Sequence, residues 1–225
     1  MRLKITHHTV YRYDAPVSFV VQSLRTTPSA FDGQKVIDWS VSIDGAEAGP
    51  GFRDGAGDWV QAWTIRGPVT EVPVRIEGEV ETTDLAGLLP GHREMVHPMV
   101  YLQSTEATEP DAALRALAAQ PAADLAPLDL AHALSGLVSD AIAYRPGVTH
   151  LNTTAAEALA LGEGVCQDHA HALIALARTR GLPARYVTGY LYADADRAPH
   201  EAAQAWAEIH VGGLGWVGLD APNRP

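Results

Sequence analysis

The sequence predicts an α+β protein: an antiparallel, β-sandwich-like domain over residues 1–105, then a domain over residues 106–225 in which helices precede an antiparallel sheet. Three observations lead there. Apolar residues of the first hundred positions recur with period two. Near residue 105 the spacing becomes helical. From residue 185 onward strand patterning returns, with a glycine-rich turn near the end.

In the first part, Leu3 and Ile5 begin a strand that the sequence ends near Tyr13-Asp14-Ala15-Pro16. Ile37, Trp39, Val41 and Ile43 alternate with Asp38, Ser40 and Ser42, and Asp44-Gly45 turns the chain. Val72, Val74 and Ile76 alternate with Pro73, Arg75 and Glu77, and Val80 continues the pattern. One apolar and one polar face mean half-buried antiparallel strands. Gly49-Pro50-Gly51, Gly55-Ala56-Gly57 and Gly67-Pro68 read as punctuation between strands.

In the second part, Glu109-Pro110-Asp111 leads into a helix over Ala112 to Leu117, which Pro121 stops. A second helix is predicted from about Leu128 to Ala143, with Leu130, Leu134, Leu137 and Ala141 on its buried face. Thr154-Ala155-Ala156-Glu157 is a capping box for a short third helix, which Gly162 and Gly164 end. A fourth runs from Cys166 to Arg180, with Ala170, Leu173, Ile174 and Ala177 as its apolar stripe. Strands follow over Arg185 to Tyr192, Ala203 to Val211 and Trp216 to Asp220; Gly212 to Gly215 joins the last two as a hairpin.

Composition excludes several function classes. A formal charge of -11 repels phosphate backbones and anionic lipid, so no nucleic-acid or membrane partner is expected. No apolar run reaches the roughly 20 residues of a membrane span. The first residues, Met1 to His8, lack the apolar core of a secretory signal, so a cytoplasmic location is expected. The single cysteine rules out an intrachain disulfide and a Cys₂ or Cys₄ zinc site. His169 and His171 stand two apart on a helix and share no face for a metal. No cofactor is expected.

That cysteine, Cys166, opens a helix after a glycine-flanked turn. Helix starts carry unpaired amides and a partial positive charge, which favour the nucleophilic thiolate. The Cys166 amide could donate to an oxyanion. By placement alone, a small buried core cysteine is the equal alternative.

Gly162-Glu163-Gly164-Val165-Cys166-Gln167-Asp168 followed by His171 resembles the nucleophile motif of the bacterial transglutaminase-like superfamily. Gly189-Tyr190 and Ala205-Trp206-Ala207-Glu208 resemble the segment around that family's histidine. Gly215-Trp216-Val217-Gly218-Leu219-Asp220 is similar to the strand ending in its aspartate. The first half resembles the β-domain that precedes this core in many bacterial members. The resemblance implies a papain-like transglutaminase core and acyl transfer. The thiolate attacks a carboxamide or peptide carbonyl to form a thioester, and water or an amine then takes the acyl group. It makes Cys166 the nucleophile and Asp220 the acid that orients the base.

Where the family carries its histidine, directly before the Ala-Trp pair, this chain has Gln204. A primary amide neither accepts the thiol proton nor returns it to a leaving amine. His210 lies six residues on, roughly 20 Å along a strand. His200 precedes the strand by an awkward offset. His169 is one helical turn from Cys166 but lacks an Asp partner. Each reads better as a histidine without a catalytic role. Trp206 reads as packing, Asp168 as a first-turn dipole partner, and Asp220 as a turn former if not an orienting acid. The family usually continues with further β-structure, whereas this chain stops at Pro225; an edge left open there could be covered by a second subunit in a homodimer.

The sequence thus reads as a transglutaminase-like protein with a cysteine acyl-transfer site for a peptide or protein amide, impaired by Gln204. The alternative is an inactive member that binds a peptide or protein. A third reading, a purely structural protein with Cys166 in its core, sits poorly with the retained spacing of the Cys, Trp and Asp motifs.

Overall fold

The computed structural model describes residues 1–192 and 203–223. The chain separates into two compact units, Met1–His97 and Pro98–Pro225.

The first unit is built on one long strand. Its strands are β1 (Arg2–Leu24), β2 (Gln34–Ile43), β3 (Ala46–Arg53) and β4 (Trp59–Thr82). β4 pairs antiparallel with β1 along almost its whole length. Its other edge carries β2 on the C-terminal half and β3 on the N-terminal half. All four strands therefore share one hydrogen-bonded sheet. Val20 and Ile65 from one half cluster with Ile43, Val72, Val74 and Ile76 from the other. The unit is sandwich-like because two halves of a continuous sheet close on one apolar core.

β1 does not end near Pro16, and β3 and β4 run through Gly49–Gly51 and Gly67–Pro68. Those residues stand at irregularities of the ladder, between Arg12 and Phe19 on β1 and between Ala48 and Gly51 on β3. There a missing amide or side chain interrupts little pairing. The first half of β4 is also unmarked by alternation: Val60 and Ile65 are both buried at an odd spacing.

The second unit begins with short 3₁₀ turns at Pro98–Leu102 and Glu106–Thr108, which carry neither period. It continues with α1 (Ala112–Ala118), α2 (Pro127–Ala141), β5 (Ala143–Tyr144), α3 (Ala155–Leu161), β6 (Glu163–Gly164), α4 (Cys166–Thr179), β7 (Ala184–Tyr190), β8 (Ala203–Val211) and β9 (Gly215–Leu219). Local chemistry sets the helix starts. Asp111 accepts the Leu114 amide at 2.8 Å. Pro127 occupies the first turn of α2, where its missing N–H costs nothing. Thr154 and Glu157 form the reciprocal capping box of α3.

α4 is the centre of this unit. Its expected stripe, Ala170, Leu173, Ile174 and Ala177, is buried, and so are Ala172, Ala175 and Leu176. Buried residues take up most of its circumference, leaving one partly exposed stripe at Gln167, His171 and Arg178. α1, α2 and α3 pack around it, and so does the antiparallel sheet of order β7-β8-β9. Ala207 and Ile209 of β8 join Leu173 and Leu176 in one core. Gln204, Trp206 and Glu208 alternate with them and take the other face of β8. Among the described residues, no helix is long and apolar enough to cross a membrane.

The buried face of α2 differs from expectation. It is Leu130, Leu134 and Val138, with Ala131 and Ser135. Leu137 is half-buried, because i, i+4, i+8 follows the groove over α4 better than the i+7 position does. Val138→Ala should therefore cost about 2 kcal/mol, and Leu137→Ala less despite its larger truncation. Urea unfolding of the two variants checks the order.

Candidate active site

The site is assembled at the N-terminus of α4. After α3 the chain turns at Gly162 and makes β6, which pairs in parallel with β5, placing Tyr144 beside Gly164. Asp168 then reaches back from the first turn of α4. Its Oδ2 accepts the Val165 amide at 2.7 Å and the Thr149 hydroxyl at 2.6 Å. Asp168 is fully buried. Any side chain at position 164 would collide with it, since a Cβ there would lie 2.7 Å from the Asp168 Cβ. The glycine and the aspartate are thus one device, and it fixes the residue between them and the helix. Cys166 is the first residue of α4 and half-buried, at the positive end of the helix dipole.

β8 and β9 supply the other side. Gln204 is buried, and its Nε2 donates to both oxygens of Asp220 at 3.1 Å each. Asn223 Nδ2 donates to Asp220 Oδ2 at 2.8 Å. Gly189 pairs with Gln204 across the β7–β8 ladder. The Trp206 ring occupies the space a Cβ at Gly189 would need, at 2.4 Å, so Trp206 is packing. Farther along, Glu208 and Arg185 form a buried ion pair at 2.7 Å, and Arg185 stacks 4.2 Å from the Trp216 ring.

The structure thus brings Gln204 and Asp220 into direct contact. Burial, then the charges of Cys166 and Asp220, push the Tyr144 hydroxyl above the ordinary tyrosine range. Tyr186 is pushed up to about 12 by burial and by the charges of Cys166 and Asp168. The sequence reading named neither tyrosine. Only their place beside the glycine turn and on the first strand after α4 could have pointed to them.

The histidines fall away from the thiol chemistry. His169 is fully buried, with Nδ1 2.9 Å from the Val165 carbonyl and Nε2 2.8 Å from the Ile142 carbonyl. It ties α4 to the end of α2 rather than touching Cys166 as a base. His210 packs on Trp216 at the hairpin end of β8. His200 lies outside the described residues. His171 packs on Tyr186 with ring centroids 5.1 Å apart, and burial lowers its pKa. Among the described residues, no group of three or more His, Cys, Asp or Glu is placed to hold a metal ion. An open groove of ≈ 530 Å³ adjoins the cysteine, lined by Thr149, His150, Leu151, Asn152 and its neighbours Val165 and Gln167.

This architecture has relatives. Residues 3–81 match the bacterial transglutaminase-like N-terminal region, and residues 115–221 match the core of the transglutaminase-like superfamily. The chain belongs to the transglutaminase-like superfamily. An uncharacterized protein of Mycobacterium leprae is 27% identical over 99% of this chain and 83% of its own length. One from Mycobacterium tuberculosis is 29% identical over 99% of this chain and 79% of its own. The crystal structure of a candidate cysteine protease from Cytophaga hutchinsonii shares the fold, with TM-score 0.75 and 22% identity, over 100% of this chain and 77% of that one.

Two predictions follow from this transglutaminase-like core. Asp168→Asn, which replaces a charged acceptor by an amide, should destabilise the protein by about 1.5–3 kcal/mol, and Thr149→Val, which removes one of its donors, by about 1. Equal losses in thermal unfolding would mean the carboxylate is not what holds the turn. The second concerns pH. Tyr186 ionises at a higher pH folded than unfolded, so above the unfolded value near 10 the unfolded chain gives up this proton first. Its contribution to stability is complete below pH ~10 and is lost as pH rises toward the folded value. Phenolate absorbance should show one tyrosine titrating later than the rest, after the smaller upward shifts of Tyr144 and Tyr190, and Tyr186→Phe should remove that last step.

Proposed function

We propose that this transglutaminase-like protein carries a cysteine acyl-transfer site at Cys166 for a peptide or protein amide, and that Gln204 limits its turnover. The observation that carries the proposal is the Gln204–Asp220 pair, with both Nε2 contacts at 3.1 Å. In a working triad an imidazole N–H faces that carboxylate while the other nitrogen takes the thiol proton. Gln204 supplies the N–H toward Asp220 and nothing basic toward the cysteine.

Chemistry at the site begins with the thiolate of Cys166, the nucleophilic form of a cysteine. Its sulfur attacks the amide carbon, and the carbonyl electron pair moves to oxygen. Collapse of that intermediate expels an amine, which must gain a proton to leave. Gln204 has none to give, so amides stall at this step, whereas substrates whose leaving group departs as an anion do not. A second reading, a binding member without turnover, is supported by the same glutamine together with the open groove beside Cys166.

Iodoacetamide should modify Cys166, and Cys166→Ser should abolish the label. Gln204→His should raise release of ammonia from a glutamine-containing peptide by roughly 10²–10⁴-fold, the usual contribution of a general acid–base group. No gain from that substitution, with the label on Cys166 retained, would favour the binding member.

A further inference from the structure

One side of the groove beside Cys166 is a loop, and hydrogen bonds tie it down. The Thr149 hydroxyl donates to the buried Asp168 at 2.6 Å. The His150 amide donates to the Thr153 hydroxyl at 2.9 Å, and the Thr153 amide returns to the His150 carbonyl at 3.0 Å. Gln167 Nε2 donates to the Leu151 carbonyl at 3.3 Å. A loop fastened to the first turn of α4 at Thr149 and at Leu151 keeps its shape before anything binds. Leu151 nevertheless remains 88% exposed.

The rest of the groove is the start of α4 itself. Val165 and Gln167 line it, and Cys166 is bonded to both. Neighbouring Cα atoms are about 3.8 Å apart, and an extended peptide advances about 3.3–3.6 Å per residue. A chain with its reacting group on the Cys166 sulfur therefore comes within a residue or two of the groove. Its volume of ≈ 530 Å³ is in the range of small-ligand sites. The lining is two branched apolar side chains, Leu151 and Val165, two amides, Asn152 and Gln167, and Thr149 and His150, with no carboxylate, lysine or arginine. On a chain of formal charge -11 this is an uncharged stretch of surface.

We propose that the groove holds the residue next to the reacting amide of a peptide substrate and selects an apolar side chain there, with Leu151 setting the preference. The proposal deepens the acyl-transfer reading above and rests on it. A charged side chain would give up hydration and meet no opposite charge in the groove. An apolar one covers Leu151 and Val165 and removes water from both surfaces. The amides of Asn152 and Gln167 match the substrate backbone, which offers donors and acceptors alike.

A glutamine analogue in which a chloromethyl group replaces the amino group of the carboxamide tests the groove without a leaving amine. The Cys166 proton passes to solvent, the sulfur forms a bond to the methylene carbon, and chloride departs with the electron pair of the carbon–chlorine bond. Gln204 has no part in that step. Three peptides carry the analogue between two leucines, two lysines or two glutamates, so that both neighbouring positions are covered. Each rate is divided by that of iodoacetamide, which reports the thiol itself in every variant. Salt at about 0.5 M screens the net charge of the protein.

The leucine peptide should react about tenfold faster than the other two, the lower end of what an apolar pocket discriminates. Leu151→Ala should cut that advantage roughly threefold, and Leu151→Asp should turn the preference toward the lysine peptide. Equal ratios for the three peptides overturn the proposal. So does a lysine or glutamate peptide that reacts fastest with the unaltered protein, and so does a leucine advantage that both Leu151 variants retain. Labelling by iodoacetamide with no reaction from any peptide overturns it too, because the groove is then closed to the chain beside the carboxamide. A Cys166 inert to iodoacetamide as well overturns the acyl-transfer reading itself, a result distinct from the others.

Discussion

A single carboxylate oxygen, Oδ2 of Asp168, accepts from the Val165 amide and from the Thr149 hydroxyl, and the rest of the site depends on it. It joins the residue before Cys166 to the loop that lines the groove. It does so from inside the first turn of α4, where a negative charge is favoured by the helix dipole. The arrangement works only because position 164 has no side chain. A hydrogen bond of this kind is worth about 1–3 kcal/mol, so the loss of either contact is felt against a domain's small net stability. Cys166 is thereby held at the first residue of a helix.

The second constraint is the burial of α4. A helix packed against α1, α2, α3 and the sheet cannot shift or rotate without disturbing them together. Its tip is therefore a fixed point for the groups that approach it. β8 lies across it through Ala207 and Ile209, and strand alternation then places Gln204 on the opposite face, beside β9 and Asp220. The small residues of β8 let the sheet come close. Gly189 does the same for the Trp206 ring, which fills the gap over the Gln204 cross-strand pair. The histidines of α4 are absorbed into this scaffold: His169 by two carbonyls, and His171 by a tyrosine ring.

Elements with local signals were legible in the sequence. The capping box at Thr154, the start of α4 at Cys166 and the span of β8 are set by neighbours a few residues away. What was not legible depends on partners far along the chain. β3 and the first half of β4 carry glycine and proline where the ladder is irregular, and only the strand opposite shows that they are paired. The choice of Val138 over Leu137 on α2 is made by the groove it meets. Asp168 could be read as a dipole partner but not as the acceptor for Thr149, nineteen residues upstream. Tyr144 and Tyr186 carry no motif. The family motifs led to Gln204 and Asp220 as a pair, and the structure adds the two-oxygen contact between them.

That contact bears on why glutamine stands at position 204. Asp220 needs donors, since a carboxylate at a partly buried strand end loses free energy if left without them. An apolar residue at 204 would leave Asn223 as its partner on Oδ2 and would free Oδ1 of the donor it now has. A lysine would replace that neutral donor by a mobile cation at Asp220. Glutamine has an N–H that reaches both oxygens and no group that titrates in the neutral range. It therefore gives Asp220 a donor, as a histidine would, and offers no group that acts as a base near neutral pH. The two properties of the histidine are separable in this fold because they belong to different ring nitrogens. Only the one facing Asp220 has a counterpart in an amide, so the hydrogen bonding at Asp220 is kept with glutamine.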